Sequence, residues 1–158
     1  MNACEVIVKT AAKIVDNNAI YLWGAQGEKV NKLTLEDIRR METNEANAKA
    51  VFERIQMLDS LGLLTNKNRA FDCSGLLCWL LVKAGIEKAG FDLCADALFE
   101  RYKKTPVLKI GCILHRKGHV GLYVGNNYLI EAKGRKYGVC ISPFVVTDWE
   151  RVYSYPYE

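Results

Sequence analysis

The hydrophobic pattern of this chain changes its period near Pro106, and that change limits the folds available to it. Before Pro106, apolar residues recur with the spacing of an amphipathic helix over residues 3–16, 34–61, 73–84 and 92–103. After Pro106, the pattern is typical of strands over residues 107–114, 119–124, 128–132, 139–142 and 151–155. Helices followed by consecutive strands predict an α+β fold with an antiparallel sheet.

Length and composition predict one domain with a hydrophobic core. The chain has 158 residues, of which 50% are hydrophobic and 25% are charged. No apolar stretch approaches the roughly 18 to 20 residues that cross a bilayer, so no membrane span is predicted. The first ten residues lack the basic and apolar segments of a secretory signal. We therefore expect a protein made in the cytoplasm without a signal peptide.

The net charge of +4 comes from 22 basic and 18 acidic residues, and it fits an anionic polymer such as a cell wall as partner. The basic residues are scattered along the chain. The densest group is Lys133, Arg135 and Lys136, which we interpret as a solvated loop, although Arg135 is also a candidate contact for a substrate carboxylate. No nucleic-acid partner is predicted, because such proteins concentrate their positive charge in a stripe or patch.

Six cysteines are present, at positions 4, 73, 78, 94, 112 and 140. There is no CxxC pair, so a structural zinc site is not predicted. We interpret every cysteine except Cys73 as a small buried apolar residue in a reducing compartment. Cys112 and Cys140 lie in predicted strands and are candidates for spatial neighbours.

Cys73 is the candidate nucleophile. It stands at the predicted N-terminus of a helix, where the backbone dipoles favour a thiolate and Asp72 can cap the free N–H groups. The next residues, Ser74 and Gly75, are small and give a substrate carbonyl room to approach. The helix that follows is apolar, and we expect the core to hold it rigidly.

A thiol nucleophile needs a base, and the chain has two histidines. His119 directly precedes an alternating strand, whereas His115 lies in a polar segment with Arg116, Lys117 and Gly118. Because a strand positions a side chain more rigidly than a loop, His119 is the predicted base.

Glu131 is the candidate for a third, orienting group. If the hairpin has a three-residue turn at 125–127, Val124 pairs with Tyr128 and Glu131 lies on the same face as His119. A two-residue turn would place the two side chains on opposite faces. The prediction of Glu131 therefore depends on the turn.

The motifs of the chain, taken in order, resemble those of the NlpC-type cell-wall peptidases, a papain-like family. These motifs are the YLWG of residues 21–24, the FDCSGL of residues 71–76, and the HVGLYVGN that begins at His119, 46 residues after Cys73. The resemblance covers roughly residues 5–155. It implies N-terminal helices packed on an antiparallel sheet of five or six strands.

The resemblance also implies an activity and a site. The activity is hydrolysis of peptidoglycan stem peptides, commonly between γ-D-glutamate and a diamino acid, without a metal or an organic cofactor. Cys73 would attack the scissile carbonyl, and His119 would activate it and then protonate the leaving amine. The cleft would be lined by Tyr21, Asp72, Ser74 and, from the aromatic motif, Trp23.

The chain departs from the family pattern in two places. The third catalytic position is usually histidine, and here it is Glu131, whose carboxylate can also orient an imidazole. The segment of about residues 25–70 separates motifs that usually lie close together. We expect a single domain over residues 1–158 in which this segment is a helical insertion that forms a wall or lid over the cleft.

Three functions remain open from the sequence. The EAKGR of residues 131–135 resembles phage and prophage proteins of Gram-positive hosts. This favours a phage lysin or a tail-associated enzyme that reaches the wall after release or within a virion, with phage tail or lysis proteins as partners. The same thiol chemistry also serves transacylases, deamidases and amidases. A phage structural protein without activity is the third candidate.

Overall fold

The structure, a computed structural model, describes residues 1–157. The predicted α+β class is confirmed. The helices are α1 (Ala3–Asp16), α2 (Leu35–Glu42), α3 (Glu45–Ser60), α4 (Cys73–Lys83) and α5 (Ala95–Arg101). The strands are β1 (Ile20–Tyr21), β2 (Gln26–Lys29), β3 (Arg69–Phe71), β4 (Lys104–Thr105), β5 (Ile113–Arg116), β6 (His119–Gly125), β7 (Tyr128–Gly134), β8 (Gly138–Pro143) and β9 (Tyr153–Ser154).

Local sequence explains where the first four helices begin. Each has an N-cap side chain that accepts a hydrogen bond from the backbone N–H three residues later, and these caps are Asn2, Thr34, Asn44 and Asp72. Helix α5 follows Cys94, which makes no such bond, and Tyr102 at its other end has an extended backbone. The predicted helix over residues 92–103 is therefore shorter, at Ala95–Arg101.

The segment between residues 25 and 70 has its own hydrophobic cluster, built with residues of β1. Its buried members are Ile20, Leu22, Ala25, Val30, Ile38, Ala48, Val51, Leu58 and Ala70. The segment contains the predicted helices as α2 and α3, but it begins and ends as β2 and β3. These two strands form a small sheet with β1 in the order β1-β3-β2, which the helical prediction missed.

Six strands form the main sheet in the order β4-β9-β5-β6-β7-β8, and all neighbours are antiparallel. The strand predicted at 107–114 is wrong over most of its length, because a turn closes there before β5 begins. In that turn Cys112 N donates to Lys109 O at 3.0 Å, and Gly111 has φ +93°. The strand predicted at 151–155 is reduced to Tyr153–Ser154.

The hairpin between β6 and β7 has the predicted register but not the predicted turn. Its turn has two residues, Asn126 and Asn127, with φ of 52° and 63°. A bulge at Val124 adds one residue to β6, between the pairs Tyr123–Leu129 and Gly125–Tyr128. The bulge compensates for the shorter turn, so Leu122 still pairs with Ile130.

Helix α4 lies in the main core, against the face of the sheet formed by β6 and β7. Its buried residues share one cluster with residues from those strands, which are Val120, Leu122, Ile130 and Ala132. Alternation along the strands therefore sends Gly121 and Glu131 to the other face, where Trp149 packs.

Over residues 1–157, no helix combines the length and apolar character needed to traverse a bilayer.

The cysteine environments differ from the prediction. Cys78 and Cys112 are buried, but Cys4 and Cys140 are only half-buried and Cys94 is exposed; all are free thiols. Cys94 was expected to be buried, yet as the residue before α5 it faces solvent. Cys112 and Cys140 are not neighbours, since β6 and β7 separate β5 from β8 in the sheet.

Candidate active site

Cys73 is the first residue of α4, and only 9% of it is exposed. Asp72 caps the helix through its Oδ1, which accepts the N–H of Gly75 at 2.7 Å. The thiol of Cys73 points toward the carbonyl oxygen of Gly118, 3.7 Å away, in the turn between β5 and β6. The predicted helix-terminus location of the thiol is confirmed, and the turn before His119 lies beside it.

The structure shows why residue 75 is a glycine, which the sequence did not indicate. A Cβ at this position would lie 2.0 Å from the carbonyl oxygen of Ala25. That carbonyl also accepts the N–H of Asp72 at 3.1 Å, so the loop after Trp23 lies directly against the start of α4. The missing side chain makes room for this loop.

His119, the first residue of β6, forms a hydrogen bond through Nε2 with Glu131 Oε1 at 2.8 Å. Nε2 is occupied in this way, so Nδ1 is the ring nitrogen left to face Cys73. Burial alone would lower the pKa of His119, but interactions with Cys73 and Glu131 outweigh it and raise that pKa above its usual value. The structure thus brings together the three residues that the sequence singled out for catalysis.

Glu131 is 4% exposed and keeps a lowered pKa. Burial opposes its ionisation, but hydrogen bonds with His119 and Ser142 and the nearby charge of Arg116 favour the carboxylate. Ser142 was missed in the sequence. It lies in β8, whose Cys140 pairs with Glu131, and finding it requires the β7–β8 register.

Trp149 packs beside the imidazole of His119. Its ring lies 5.6 Å from that of His119 at an interplanar angle of 27°. The guanidinium of Arg116 stands 4.6 Å from the Trp149 ring centroid. A Cβ on Gly121 would lie 2.9 Å from Leu129 Cδ1 and 3.3 Å from this ring, so the glycine leaves space for both side chains. Trp149 and Arg116 restrict where the ring of His119 can lie.

A cleft of 340 Å³ opens in front of Cys73. Of the predicted substrate residues, Trp23, Asp72 and Ser74 line it, together with residues 92–96 and Gly118. Tyr21 lies outside this lining. Its pKa is raised to about 12, mainly by burial and further by the charges of Cys73 and Asp72.

Asp72 joins two parts of the site. Oδ2 accepts the N–H of Gly24 at 2.8 Å, and Oδ1 accepts from Ser74 Oγ at 3.4 Å as well as from Gly75. Burial raises the pKa of Asp72, and these hydrogen bonds oppose the rise. Its carboxylate thus fastens the loop of Trp23 to the helix of Cys73, and a role in substrate binding stays a prediction.

His115 was expected to lie in a polar loop, but the structure places it elsewhere. It is a buried residue of β5, stacked on Phe99 with ring centroids 4.3 Å apart. Nε2 lies 2.8 Å from Asp96 and Nδ1 lies 2.9 Å from Glu150. Asp96 Oδ1 also accepts the N–H of Gly118 at 2.9 Å. The second histidine therefore braces the turn that leads to His119.

Arg135 is not part of a solvated loop. Its guanidinium forms two hydrogen bonds with the carboxylate of Glu42 in α2.

In the part of the chain that the structure describes, no group of three or more His, Cys, Asp or Glu side chains is arranged to hold a metal ion. The two carboxylates beside His115 bind different nitrogens of one ring and do not converge on a common point.

Comparison with known proteins identifies the family. The sequence model described as NlpC/P60 family matches residues 62–155, which is more than half of the chain. No curated protein matches significantly.

Solved structures have the same fold. RipB of Mycobacterium tuberculosis, described as a peptidoglycan hydrolase, superposes with a TM-score of 0.66 at 19% identity over 99% of this chain. The chain spans 65% of the length of that structure. The P60 domain of a Mycobacterium avium subspecies paratuberculosis antigen gives 0.63 at 17% identity, covering 99% of this chain and 96% of that one. NlpC2 of Trichomonas vaginalis gives 0.61 at 18% identity, covering 99% and 46% respectively. The predicted resemblance is confirmed: this chain belongs to the NlpC/P60 family.

Proposed function

We propose that this protein is a peptidoglycan hydrolase that cleaves stem peptides by cysteine catalysis. The observation that carries the proposal is the position of His119, which interacts with both Cys73 and Glu131 and has a raised pKa. A nucleophile, a base and a group that orients the base are the parts that acyl transfer requires. We take peptidoglycan as the substrate from family membership and from the similarity to RipB, which is described as a peptidoglycan hydrolase.

The proposed reaction begins with attack of Cys73 Sγ on the scissile carbonyl carbon. His119 holds the thiol proton, and the N-terminal dipoles of α4 stabilise the developing oxyanion. The carbon–nitrogen bond breaks as His119 passes the proton to the leaving amine. A water deprotonated by His119 then attacks the thioester, releasing the carboxylic acid and the thiol. Glu131 keeps the ring oriented through both steps.

The finer parts of the proposal come from the family resemblance. The bond is the one between γ-D-glutamate and the diamino acid, in a cleft with Trp23, Asp72 and Ser74 on its wall. Delivery to the wall as a phage or prophage enzyme, after synthesis in the cytoplasm, stays a prediction. Other acyl transfers share the same first step and differ in the acceptor that enters the cleft.

Digestion of purified peptidoglycan tests the proposal. Wild-type protein should release muropeptides with new amino termini, and mass analysis identifies the cleaved bond. Cys73→Ala and His119→Ala should release none, whereas Cys4→Ala, which changes a half-buried thiol in α1, should match wild type. Wild-type protein that releases nothing from walls of several chemotypes, or a Cys73→Ala variant that remains active, would refute the proposal.

A further inference from the structure

A buried ion pair joins the 25–70 segment to the end of β7. Glu42 is the last residue of α2, and its side chain has 0% exposure. Arg135 follows β7, and its Nη2 and Nε donate to Glu42 Oε1 and Oε2 at 2.6 and 3.0 Å. Each carboxylate oxygen accepts from its own guanidinium nitrogen, which is the strong bidentate form of this interaction.

Both partners also touch the strand that leads into the cleft wall. The backbone N–H of Trp23 donates to Glu42 Oε2 at 3.1 Å. The guanidinium of Arg135 lies 5.1 Å from the ring centroid of Tyr21. Trp23 lines the cleft with 55% of its surface exposed, and Tyr21 packs against the core cluster that includes Cys73. The ion pair thus contacts the backbone of one aromatic residue and the ring of the other.

Stability alone is a weak reason for this arrangement. A carboxylate without exposure is costly unless donors satisfy it, and a well-packed apolar pair of similar size often stabilises a core equally well. What the pair adds is fixed geometry, because the planar guanidinium permits few orientations on the carboxylate and on the ring. The pair therefore fixes the positions of the Tyr21 ring and of the Trp23 backbone.

We propose that Glu42 and Arg135 are positioning residues that hold Tyr21 and Trp23 in place, and with them the Trp23 side of the cleft as the binding wall for the stem peptide. The inference rests on the proposed function for the identity of the substrate. It makes the 25–70 segment a determinant of substrate affinity, because α2 supplies the carboxylate. The side-chain hydrogen bonds of Glu42 and Arg135 run to the Trp23 backbone and to each other rather than to Cys73, His119 or Glu131. Their loss should therefore weaken substrate binding more than the chemical step.

Steady-state kinetics on a soluble stem-peptide muropeptide test the inference. Glu42→Gln keeps the shape and an acceptor for Trp23 but removes the charge, and it should raise KM about tenfold while kcat stays within about threefold. Arg135→Ala should raise KM further, and Arg135→Lys should recover only part of the loss, since an ammonium lacks the planar fork. The rate of Cys73 alkylation by iodoacetamide, read by mass spectrometry, should equal that of wild type.

The Glu87–Arg101 pair provides a matched control. It is also bidentate, at 2.5 and 2.8 Å, but it joins residue 87 to α5 and makes no contact with the wall. Glu87→Gln should lower the melting temperature without changing KM. Wild-type KM in both Glu42→Gln and Arg135→Lys, or a fall in kcat with KM unchanged, would overturn the inference.

Two further measurements separate this inference from the proposed function. The amide proton resonance of Trp23 should shift in Glu42→Gln, because its acceptor loses charge, and this readout needs no activity. A wild-type protein that is inactive on every wall refutes the proposed function, whereas an unmoved Trp23 amide refutes the positioning role. If Glu42→Gln does not fold, Arg135→Lys answers the same question through its affinity for the muropeptide in a Cys73→Ala background.

Discussion

Glu131 stands where most of the resembled family has a histidine, and its carboxylate is one of the two interactions that raise the pKa of His119. In Glu131→Gln that contribution is lost, so the pKa of His119 should fall. The alkaline limb of the kcat/KM profile, which reports loss of the imidazolium, should move to lower pH. The maximum should also fall by about tenfold or more, since the ring is less well oriented. A pH series of kcat/KM on the muropeptide measures both effects.

Ser142→Ala is a second substitution at this site, and it keeps the charge of Glu131. It removes one hydrogen bond from Glu131 but leaves the ionised carboxylate, which becomes a stronger acceptor for His119, so the alkaline limb should stay in place or move slightly to higher pH. An alkaline limb that stays in place in Glu131→Gln would contradict the role given to the carboxylate.

At this scale, residues whose role depends on local sequence were predictable. Cys73 and Asp72 were found because a cap and a helix start are adjacent in the chain. The pairing of Glu42 with Arg135 was not, because 93 residues separate them in the chain. His115 was placed in a loop because the strand before it was predicted too early, and its two carboxylates come from distant elements.

The β6–β7 hairpin is the element that brings His119 and Glu131 together, and its turn can be tested directly. Asn127 has φ 63°, a conformation that glycine adopts without cost. Asn127→Gly should leave activity unchanged and keep the free energy of unfolding within about 1 kcal/mol of wild type. Asn127→Val should lower it by about 1–2 kcal/mol, because the left-handed region tolerates asparagine but crowds the branched Cβ of valine. Urea unfolding followed by fluorescence measures both.

An Asn127→Val protein as stable as wild type would show that the turn does not have this conformation in solution.

The strand register of the hairpin was predicted correctly from an incorrect turn length. The three-residue turn was wrong, yet the bulge at Val124 supplied the same offset. Bulges have no strong sequence signature, and neither did the Lys109–Cys112 turn that displaced the start of β5.

For the molecule as a whole, the His119–Glu131 pair predicts how stability depends on pH. Folding raises the pKa of His119 above its usual 6.5, so that contribution is complete below pH 6.5 and is lost as pH rises through the folded value. Folding lowers the pKa of Glu131 below its usual 4.5, so that contribution is complete above pH 4.5 and is lost as pH falls through the folded value. Their coupling free energy should therefore be largest between pH 4.5 and 6.5.

A double-mutant cycle with Glu131→Gln and His119→Gln isolates this coupling from the other titrating groups. Urea unfolding at about pH 3, 5.5 and 9 should give its maximum at the middle value. A coupling energy that does not change over this range would mean that the pair is not ionised in the folded protein.

The architecture was predictable at this scale because the change in period and the ordered motifs both extend over most of the chain. The small β1-β3-β2 sheet was not predictable, since β1 has only two residues and pairs with β3 across the whole 25–70 segment. The second hydrophobic cluster, which ties that segment to β1, likewise depends on contacts between distant residues.

Asp72 bonds to Gly24 on one side and to the first turn of α4 on the other, while the Ala25 carbonyl fills the space left by Gly75. The nucleophile and one bank of the cleft therefore move as a rigid unit. Any adjustment to substrate width has to come from the opposite bank, residues 92–96 and Gly118. A bulkier stem peptide would thus be accommodated by displacement of that bank, with the attacking sulfur still at a constant distance from the Trp23 loop.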